Sequence, residues 1–205
     1  MRTFIYFSSK ARTSGNWQDL MQAGRMDIVC HVIINAFFLS KKMRDDVILH
    51  LIFYGPPDPP KHLEMKPGKV IPETGVEAGK EQLDISKKDI SGIIKKMLYK
   101  YKHGKKTEIW TGFFIEKKNL FDLIKELREE GREIYILDKE GEDIRSLDTK
   151  KLENAVFLLG DHEGLPKKEL KRLKQECELI SLGKKTYFAS QIITILNNEL
   201  DRREI

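Results

Sequence analysis

Two apolar runs in the last third of the chain each end at a glycine. Residues 155–159 (AVFLL) lead into Gly160, and residues 180–182 (ISL) lead into Gly183. Short aliphatic runs of this kind predict buried strands, and ligands of open α/β sheets bind beyond the carboxyl ends of such strands. Glycine has no Cβ, so Gly160, Gly164 and Gly183 would let a ligand lie against bare backbone N–H and C=O groups. An adenosine moiety would suit such a pocket; two ordinary strand ends are the alternative.

A lysine-rich segment is the second feature that suggests a chemical role. Residues 86–106 contain eight lysines and one acidic residue, Asp89, with Tyr99, Tyr101 and His103 interleaved. This pattern is typical of a face that binds nucleic-acid phosphates. A solvated surface rich in ion pairs, as thermophilic proteins favour, is the alternative explanation.

Composition excludes several classes of protein. No apolar run in the 205 residues approaches the roughly 20 needed to span a bilayer, and residues 1–7 do not resemble a signal peptide, so we expect a cytoplasmic protein. Cys30 and Cys177 lie far apart, and the five histidines are scattered, which predicts no metal site. The net charge of +5 does not by itself indicate a nucleic-acid partner.

Strands and helices alternate along the chain. We predict strands at residues 3–8, 47–54, 108–115, 133–137, 155–160 and 177–182, and helices at 26–39, 90–101, 119–130, 166–175 and 187–203. A turn is expected at 138–141, and residues 61–85 are interpreted as an excursion rather than a core element. Alternation of this kind predicts an α/β fold with a mainly parallel sheet covered on both faces.

Neighbouring strands would bring three strand ends together, at Leu137, Gly160 and Gly183. A dinucleotide-binding fold and a nucleotide triphosphatase are disfavoured, because the chain has neither a Gly-x-Gly-x-x-Gly segment nor a correctly spaced Gly-Lys-Ser/Thr loop.

The two glycine-containing segments resemble the late motifs of SPOUT methyltransferases. The segments are residues 158–164 (LLGDHEG) and 180–190 (ISLGKKTYFAS). The resemblance implies a single domain over residues 1–205, with a carboxyl-terminal trefoil knot at about 133–205 that binds S-adenosylmethionine. True knots are rare, and this superfamily is an exception to the rule against them.

The amino-terminal half narrows the resemblance to the archaeal tRNA pseudouridine-54 N1-methyltransferases. The similar segments are residues 13–15 (TSG), 23–27 (AGRMD), 35–40 (NAFFLS), 44–46 (RDD) and 55–60 (GPPDPP). The likeness covers nearly the whole chain, and residues 61–91 are the part that matches least.

The resemblance implies site residues as well as an activity. For the cofactor it implies Leu137, Gly160, Ile180, Ser181, Leu182, Gly183, Lys184, Lys185, Thr186 and Tyr187. Attack by N1 of pseudouridine requires loss of its proton, and Asp58 and then Asp161 are the candidate bases, with Arg25 to bind a phosphate or stabilise the anionic ring. The candidate contacts to tRNA are Arg12, Arg25, Arg44, Lys95, Lys96, Lys100 and Lys102.

The family also implies a homodimer with the cofactor pocket near the subunit interface. Two alternatives stay open at this point. One is methylation of a pseudouridine in ribosomal RNA, and the other is a knotted RNA-binding protein that has lost methyl transfer.

Overall fold

The computed structural model describes residues 1–40, 42–66, 70–71, 76–77 and 86–205. In these residues the strands are β1 (Arg2–Ser8), β2 (Val47–Phe53), β3 (Lys61–Met65), β4 (Val70–Ile71), β5 (Val76–Glu77), β6 (Thr107–Trp110), β7 (Phe113–Glu116), β8 (Glu133–Asp143), β9 (Ala155–Gly160) and β10 (Glu178–Ser181). The helices are α1 (Met26–Phe37), α2 (Lys87–Tyr99), α3 (Leu120–Glu129), α4 (Thr149–Glu153), α5 (Lys167–Leu173) and α6 (Ala189–Arg202).

Eight strands form one sheet in the order β10-β8-β9-β1-β2-β3-β7-β6. The first five of these run parallel, and β3, β7 and β6 continue the sheet antiparallel. The parallel part therefore places the carboxyl ends of β10, β8 and β9 side by side. The predicted α/β class with a mainly parallel sheet is confirmed.

Helices cover both faces of the sheet. On one face α1, α2 and α6 pack over a large core that includes Phe4, Tyr6 and Phe157. On the other face α3 and α5 cover a smaller core around Ile5 and Leu158. Strands buried on both faces are nearly continuous apolar runs, which explains why the sequence patterns of β1 and β9 predict them well.

Residues 61–65 correct one prediction, because they form a strand of the main sheet and not an excursion. Lys61, His62 and Leu63 are buried, and β3 pairs antiparallel with β2. The polar residues of β3 obscured the strand in the sequence; their side chains are buried because partners in neighbouring elements satisfy them. The rest of the predicted excursion up to residue 85 lies outside the described residues, apart from Lys66 and the short β4 and β5.

Two further predictions need correction at turns. The single strand expected at 108–115 is the hairpin β6–β7, which turns at Gly112, a residue with φ of +80°. The strand that begins at residue 133 continues to Asp143, with residues 137–141 bulging out between the pairs Ile136–Leu179 and Glu142–Ile180. Gly141 allows this bulge, because a Cβ there would lie 2.5 Å from the backbone nitrogen of Ile180.

Candidate functional site

A cleft lies at the carboxyl ends of β9 and β10 and beside the 137–141 bulge of β8, where the sequence predicts a pocket. Its cavity measures about 450 Å³, within the range of small-molecule sites. The predicted cofactor residues that line it are Leu137, Gly160, Ser181, Leu182, Gly183, Lys185, Thr186 and Tyr187. Ile180 is buried beneath the cleft, and Lys184 lies outside its lining within the described part of the chain.

The cleft continues into a second lobe of about 480 Å³, which extends to the first turn of α6 and to α1. Gly160, Glu163 and Tyr187 border both lobes. The sequence reasoning missed Glu163 and also Leu165 and Ile192 of the first lobe. Residues 161–165 directly follow the glycine that ends β9, and this position was a signal that could have found two of them.

The turn after β9 is held so tightly that Gly160 has no room for a side chain. A Cβ on Gly160 would lie 2.4 Å from the carbonyl carbon of Gly164. The turn is closed by a hydrogen bond of 2.9 Å from the Gly164 N–H to the Asp161 carbonyl. Gly164 has φ of +77°, a conformation that glycine adopts without strain.

The chemistry of the cleft suits an adenosine-containing cofactor. Leu137, Leu165 and Leu182 supply apolar surface for a flat base, and Gly160 and Gly183 leave backbone groups uncovered. Glu163 forms an ion pair with Lys10, which holds the pKa of the Glu163 carboxyl below its usual value. Glu163 and the lysines at positions 139, 167 and 185 line the cleft, so acidic and basic side chains are both available to a ligand with amino and carboxylate groups.

Asp161 anchors this turn by accepting hydrogen bonds at both of its carboxylate oxygens. One carboxylate oxygen accepts hydrogen bonds from the Ser8 hydroxyl at 3.0 Å, the Ser9 hydroxyl at 3.2 Å and the Ser9 N–H at 2.9 Å. The other accepts from the Glu163 N–H at 2.9 Å. The residue is 8% exposed and links the β1 and β9 ends, and its role as the second candidate base stays a prediction.

Asp58 lies beyond the end of β2, with its side chain 48% exposed. Lys117 and Lys61 both pair with its carboxylate, the latter at 2.5 Å, and they lower the pKa of Asp58 to about 2. The Asp58 N–H donates to the Thr13 hydroxyl at 2.9 Å, which joins this loop to the one after β1. Asp58 is thus ionised and reachable from solvent, but within the described residues it does not line either lobe of the cleft.

Lys61 contacts the candidate base Asp58 and is not among the residues predicted from the sequence. It is 1% exposed, its ammonium donates to the Asp58 carbonyl at 2.7 Å, and it lies 3.9 Å from the centre of the Tyr101 ring. Its position directly after the proline loop was the only signal in the sequence. Its burial could not be read there, because it depends on the β2–β3 pairing.

The three candidate arginines have different environments. Arg25 forms a bidentate ion pair with Asp27, in which its Nε and Nη2 each lie 3.0 Å from a carboxylate oxygen. The pair raises the pKa of Arg25 and lowers that of Asp27. Arg44 is 9% exposed and pairs through both terminal nitrogens with Asp201 of α6, and its contact with RNA stays a prediction. Arg12, in the loop after β1, has a buried Nε without a hydrogen-bond partner among the described residues.

The lysine-rich face of α2 is built together with two tryptophans. Lys95 donates to the Trp17 carbonyl at 2.7 Å and lies 5.3 Å from the centre of the Trp17 ring. Lys96 and Lys100 lie 5.4 and 5.9 Å from the Trp110 ring centre. Lys100 and Lys102 are exposed, and Tyr99 between the lysines is 66% exposed. No described helix has the length and apolarity that a bilayer crossing requires.

Comparison with known proteins identifies the class of protein that carries this site. A family model described as "Putative SAM-dependent RNA methyltransferase" matches residues 1–205. Among solved structures, the chain is similar to the crystal structure of Archaeoglobus fulgidus Nep1 bound to S-adenosylhomocysteine, with a TM-score of 0.63, 14% identity, and coverage of 99% of this chain and 98% of that one. The chain therefore belongs to the family of S-adenosylmethionine-dependent RNA methyltransferases that this model describes, and its fold is that of Nep1.

Curated relatives narrow the family. The chain is 36% identical to a protein of Methanococcoides burtonii over 98% of this chain and 96% of the relative, and 35% identical to a protein of Methanococcus aeolicus over 100% of both. Both relatives are named tRNA (pseudouridine(54)-N(1))-methyltransferase. The chain belongs to this archaeal family.

Proposed function

We propose that this protein transfers a methyl group from S-adenosylmethionine to N1 of pseudouridine 54 in tRNA. The observation that carries the proposal is the glycine-walled cleft at the carboxyl ends of β9 and β10 and the bulge of β8, in a chain of this family. When bound there, the cofactor supplies an electrophilic methyl carbon. The residues of the chain have to bind the cofactor, present the target base and receive the proton of N1.

Asp58 is the proposed partner of that proton. N1 attacks well only as its proton leaves, so a positioned acceptor lowers the barrier. In the free protein Lys117 and Lys61 keep the Asp58 carboxylate ionised, and the target N1–H competes with the Lys117 ammonium for it. The loop after β1 connects the two regions, because Thr13 contacts Asp58 and Ser9 contacts the Asp161 turn beside the cleft.

The tRNA backbone is proposed to lie across the exposed part of the α2 face. Lys100, Lys102 and Tyr99 offer charge and an aromatic surface to the phosphates and bases. The target base sits in a folded loop of tRNA and has to be unstacked before N1 can reach the methyl carbon.

Three finer features belong to the same proposal. We propose a trefoil knot at residues 133–205, a homodimer and a cytoplasmic location. The close approach of Gly141 to the Ile180 backbone supports the knot, since β10 passes directly against the 137–141 bulge. Phe188 at the cleft rim is 72% exposed, which supports a second subunit covering this edge.

The test is methyl transfer from labelled S-adenosylmethionine to two tRNA transcripts that differ only in having uridine or pseudouridine at position 54. We expect label as N1-methylpseudouridine, identified by nucleoside mass spectrometry, in the pseudouridine transcript alone. Label in neither transcript, together with intact cofactor binding by calorimetry, would overturn the proposal. The same preparation would then be tested on ribosomal RNA carrying pseudouridine, and absence of label there would leave an RNA-binding protein.

A further inference from the structure

Two buried histidines face each other on the side of the sheet that α3 covers. His50 on β2 is 5% exposed and His62 on β3 is 1% exposed. Nδ1 of His50 lies 2.9 Å from Nε2 of His62, and the rings are stacked with centres 5.1 Å apart. They come together because β2 and β3 pair antiparallel, with His50 opposite Glu64 and His62 opposite Ile52.

Glu64 completes a set of three metal-ligand side chains. Nitrogen atoms of His50 and His62 and a carboxylate oxygen of Glu64 all lie within 4.8 Å of one another. Two imidazoles and one carboxylate are a donor set that divalent zinc binds well. We propose that Nδ1 of His50, Nε2 of His62 and the carboxylate of Glu64 bind a divalent transition-metal ion, with Zn²⁺ as the best chemical match.

Glu116 fixes the orientation of one of these ligands. Its carboxylate accepts a hydrogen bond of 3.1 Å from Nδ1 of His62. That bond assigns the ring proton of neutral His62 to Nδ1, and it leaves the lone pair of Nε2 directed at His50. A carboxylate on the distal nitrogen of a ligating histidine is the usual arrangement around protein-bound zinc. Lys118 pairs with Glu116 at 2.8 Å and holds the carboxylate in place.

A small cavity next to the histidines offers a place for a fourth ligand. It measures about 140 Å³ and is bordered by His50 and Glu64. That volume accommodates a few water molecules, one of which completes a tetrahedral set.

The charges around the site tolerate a divalent ion. Four carboxylates and three cations surround it, namely Glu64, Glu116, Glu126, Glu130, Lys106, Lys118 and Arg132. Lys106, which pairs with Glu64 at 2.7 Å, is 42% exposed and can turn to solvent when the ion binds.

The ion takes the place of the proton that the two rings share. In the free protein His50 donates its Nδ1–H to Nε2 of His62; on binding, that proton moves to Nε2 of His50 and the ring remains neutral. The two nitrogens separate slightly, because nitrogen ligands of tetrahedral zinc lie about 3.3 Å apart at bond lengths of about 2.0–2.1 Å. The ion joins β2 to β3 and, through Glu116, to β7.

Metal content tests this proposal independently of methyl transfer. The full chain is freed of metal, incubated with ZnCl₂ and passed through a desalting column, and zinc is measured by mass spectrometry. We expect about one ion per chain in the unmodified protein, and a Co²⁺-loaded sample with the visible absorption of a four-coordinate ion. Absence of retained zinc and of that absorption would overturn the proposal.

Variants locate the ion. His62→Gln should abolish retention, Glu64→Gln should weaken it, and Glu116→Gln should lower affinity by about 10- to 100-fold. Glu64→Gln keeps the proposal testable if His62→Gln does not fold, because the Glu64 side chain is partly exposed. The exposed residues His31, His103 and Glu153 provide the controls His31→Asn, His103→Asn and Glu153→Gln. Zinc retained by both His62→Gln and Glu64→Gln, or lost in a control, would contradict the assignment.

Discussion

Gly160 and Gly164 lie so close together that a Cβ on Gly160 would be 2.4 Å from the carbonyl carbon of Gly164. This approach shapes the turn after β9, and both glycines border both lobes of the cleft. Backbone cannot yield at such a contact as a flexible side chain can, so any side chain at Gly160 displaces the turn.

Gly160→Ala should therefore remove cofactor binding while the fold is retained. Displacement of the turn narrows the first lobe and breaks the hydrogen bonds that Asp161 makes with Ser8 and Ser9. Calorimetry with S-adenosylhomocysteine should show no heat. Gly92→Ala is the matched control, because a Cβ there meets nothing within 4 Å. Unchanged affinity in Gly160→Ala would show that the cofactor does not touch this turn.

Asp58→Asn should slow methyl transfer by about 100-fold, because the amide cannot take the N1 proton. Single-turnover rates with saturating cofactor and tRNA measure the effect on chemistry. Asp45→Asn, at an exposed carboxylate, is the control. A rate within a factor of two of the unmodified enzyme would exclude Asp58 as the proton acceptor.

Lys117→Met should shift the acid limb of the pH–rate profile to higher pH. Lys117 is the largest cause of the lowered pKa of Asp58, about 2, and its loss leaves Lys61 as the remaining ammonium partner of this carboxylate in the part of the chain that the structure describes. The carboxylate acts as a base only above its pKa, so a higher pKa moves the loss of activity toward neutral pH. Because Lys61 still lowers this pKa, it stays below the ordinary aspartate value of about 3.9. The profile between about pH 2 and 5 should therefore change in Lys117→Met and not in Lys125→Met, which alters an exposed lysine of α3.

The double variant Lys100→Ala with Lys102→Ala should weaken tRNA binding and flatten its salt dependence. Each phosphate contact contributes roughly 0.7–0.9 to the slope of log affinity against log salt concentration, so two lost contacts lower the slope by about 1.4–1.8. Lys150→Ala with Lys151→Ala, at exposed lysines of α4, is the control for net charge. Equal slopes for the two double variants would assign Lys100 and Lys102 to a solvated surface.

Asp201→Asn should destabilise the protein by about 2 kcal/mol at pH 7, because it removes a charged partner of the buried Arg44 and Arg2. Arg44, and to a smaller extent Arg2, lowers the pKa of Asp201. A lowered carboxyl pKa stabilises the fold above its ordinary value of about 3.9, and the contribution disappears as the pH falls through the folded-state value.

Urea unfolding measures this difference at pH 7 and again near pH 3. The gap between the unmodified protein and Asp201→Asn should shrink at the lower pH. Asp45→Asn should match the unmodified protein at both values, since Asp45 is exposed. A gap that is the same at both pH values would show that Asp201 contributes by packing and not by charge.

The amino-acid sequence by itself determined the class of fold and the place of the cleft. Buried parallel strands are continuous apolar runs, and the glycines at 160 and 183 mark where they end, so local pattern alone predicts β9, β10 and the pocket beyond them. Both ends of α3 could also be predicted from the local sequence, because Asn119 caps its first turn and Gly131 follows its last turn with φ of +79°.

Tertiary structure decided what the polar residues do. Asp161 and Arg44 are of residue types that are common in active sites. Their partners Ser8 and Asp201 are 153 and 157 residues away in sequence, and a local sequence pattern carries no information about such pairs. The same holds for His50 and His62, which become neighbours only through the β2–β3 pairing. Burial of a polar side chain depends on a partner from another element, and the chain acquires that partner only when it folds.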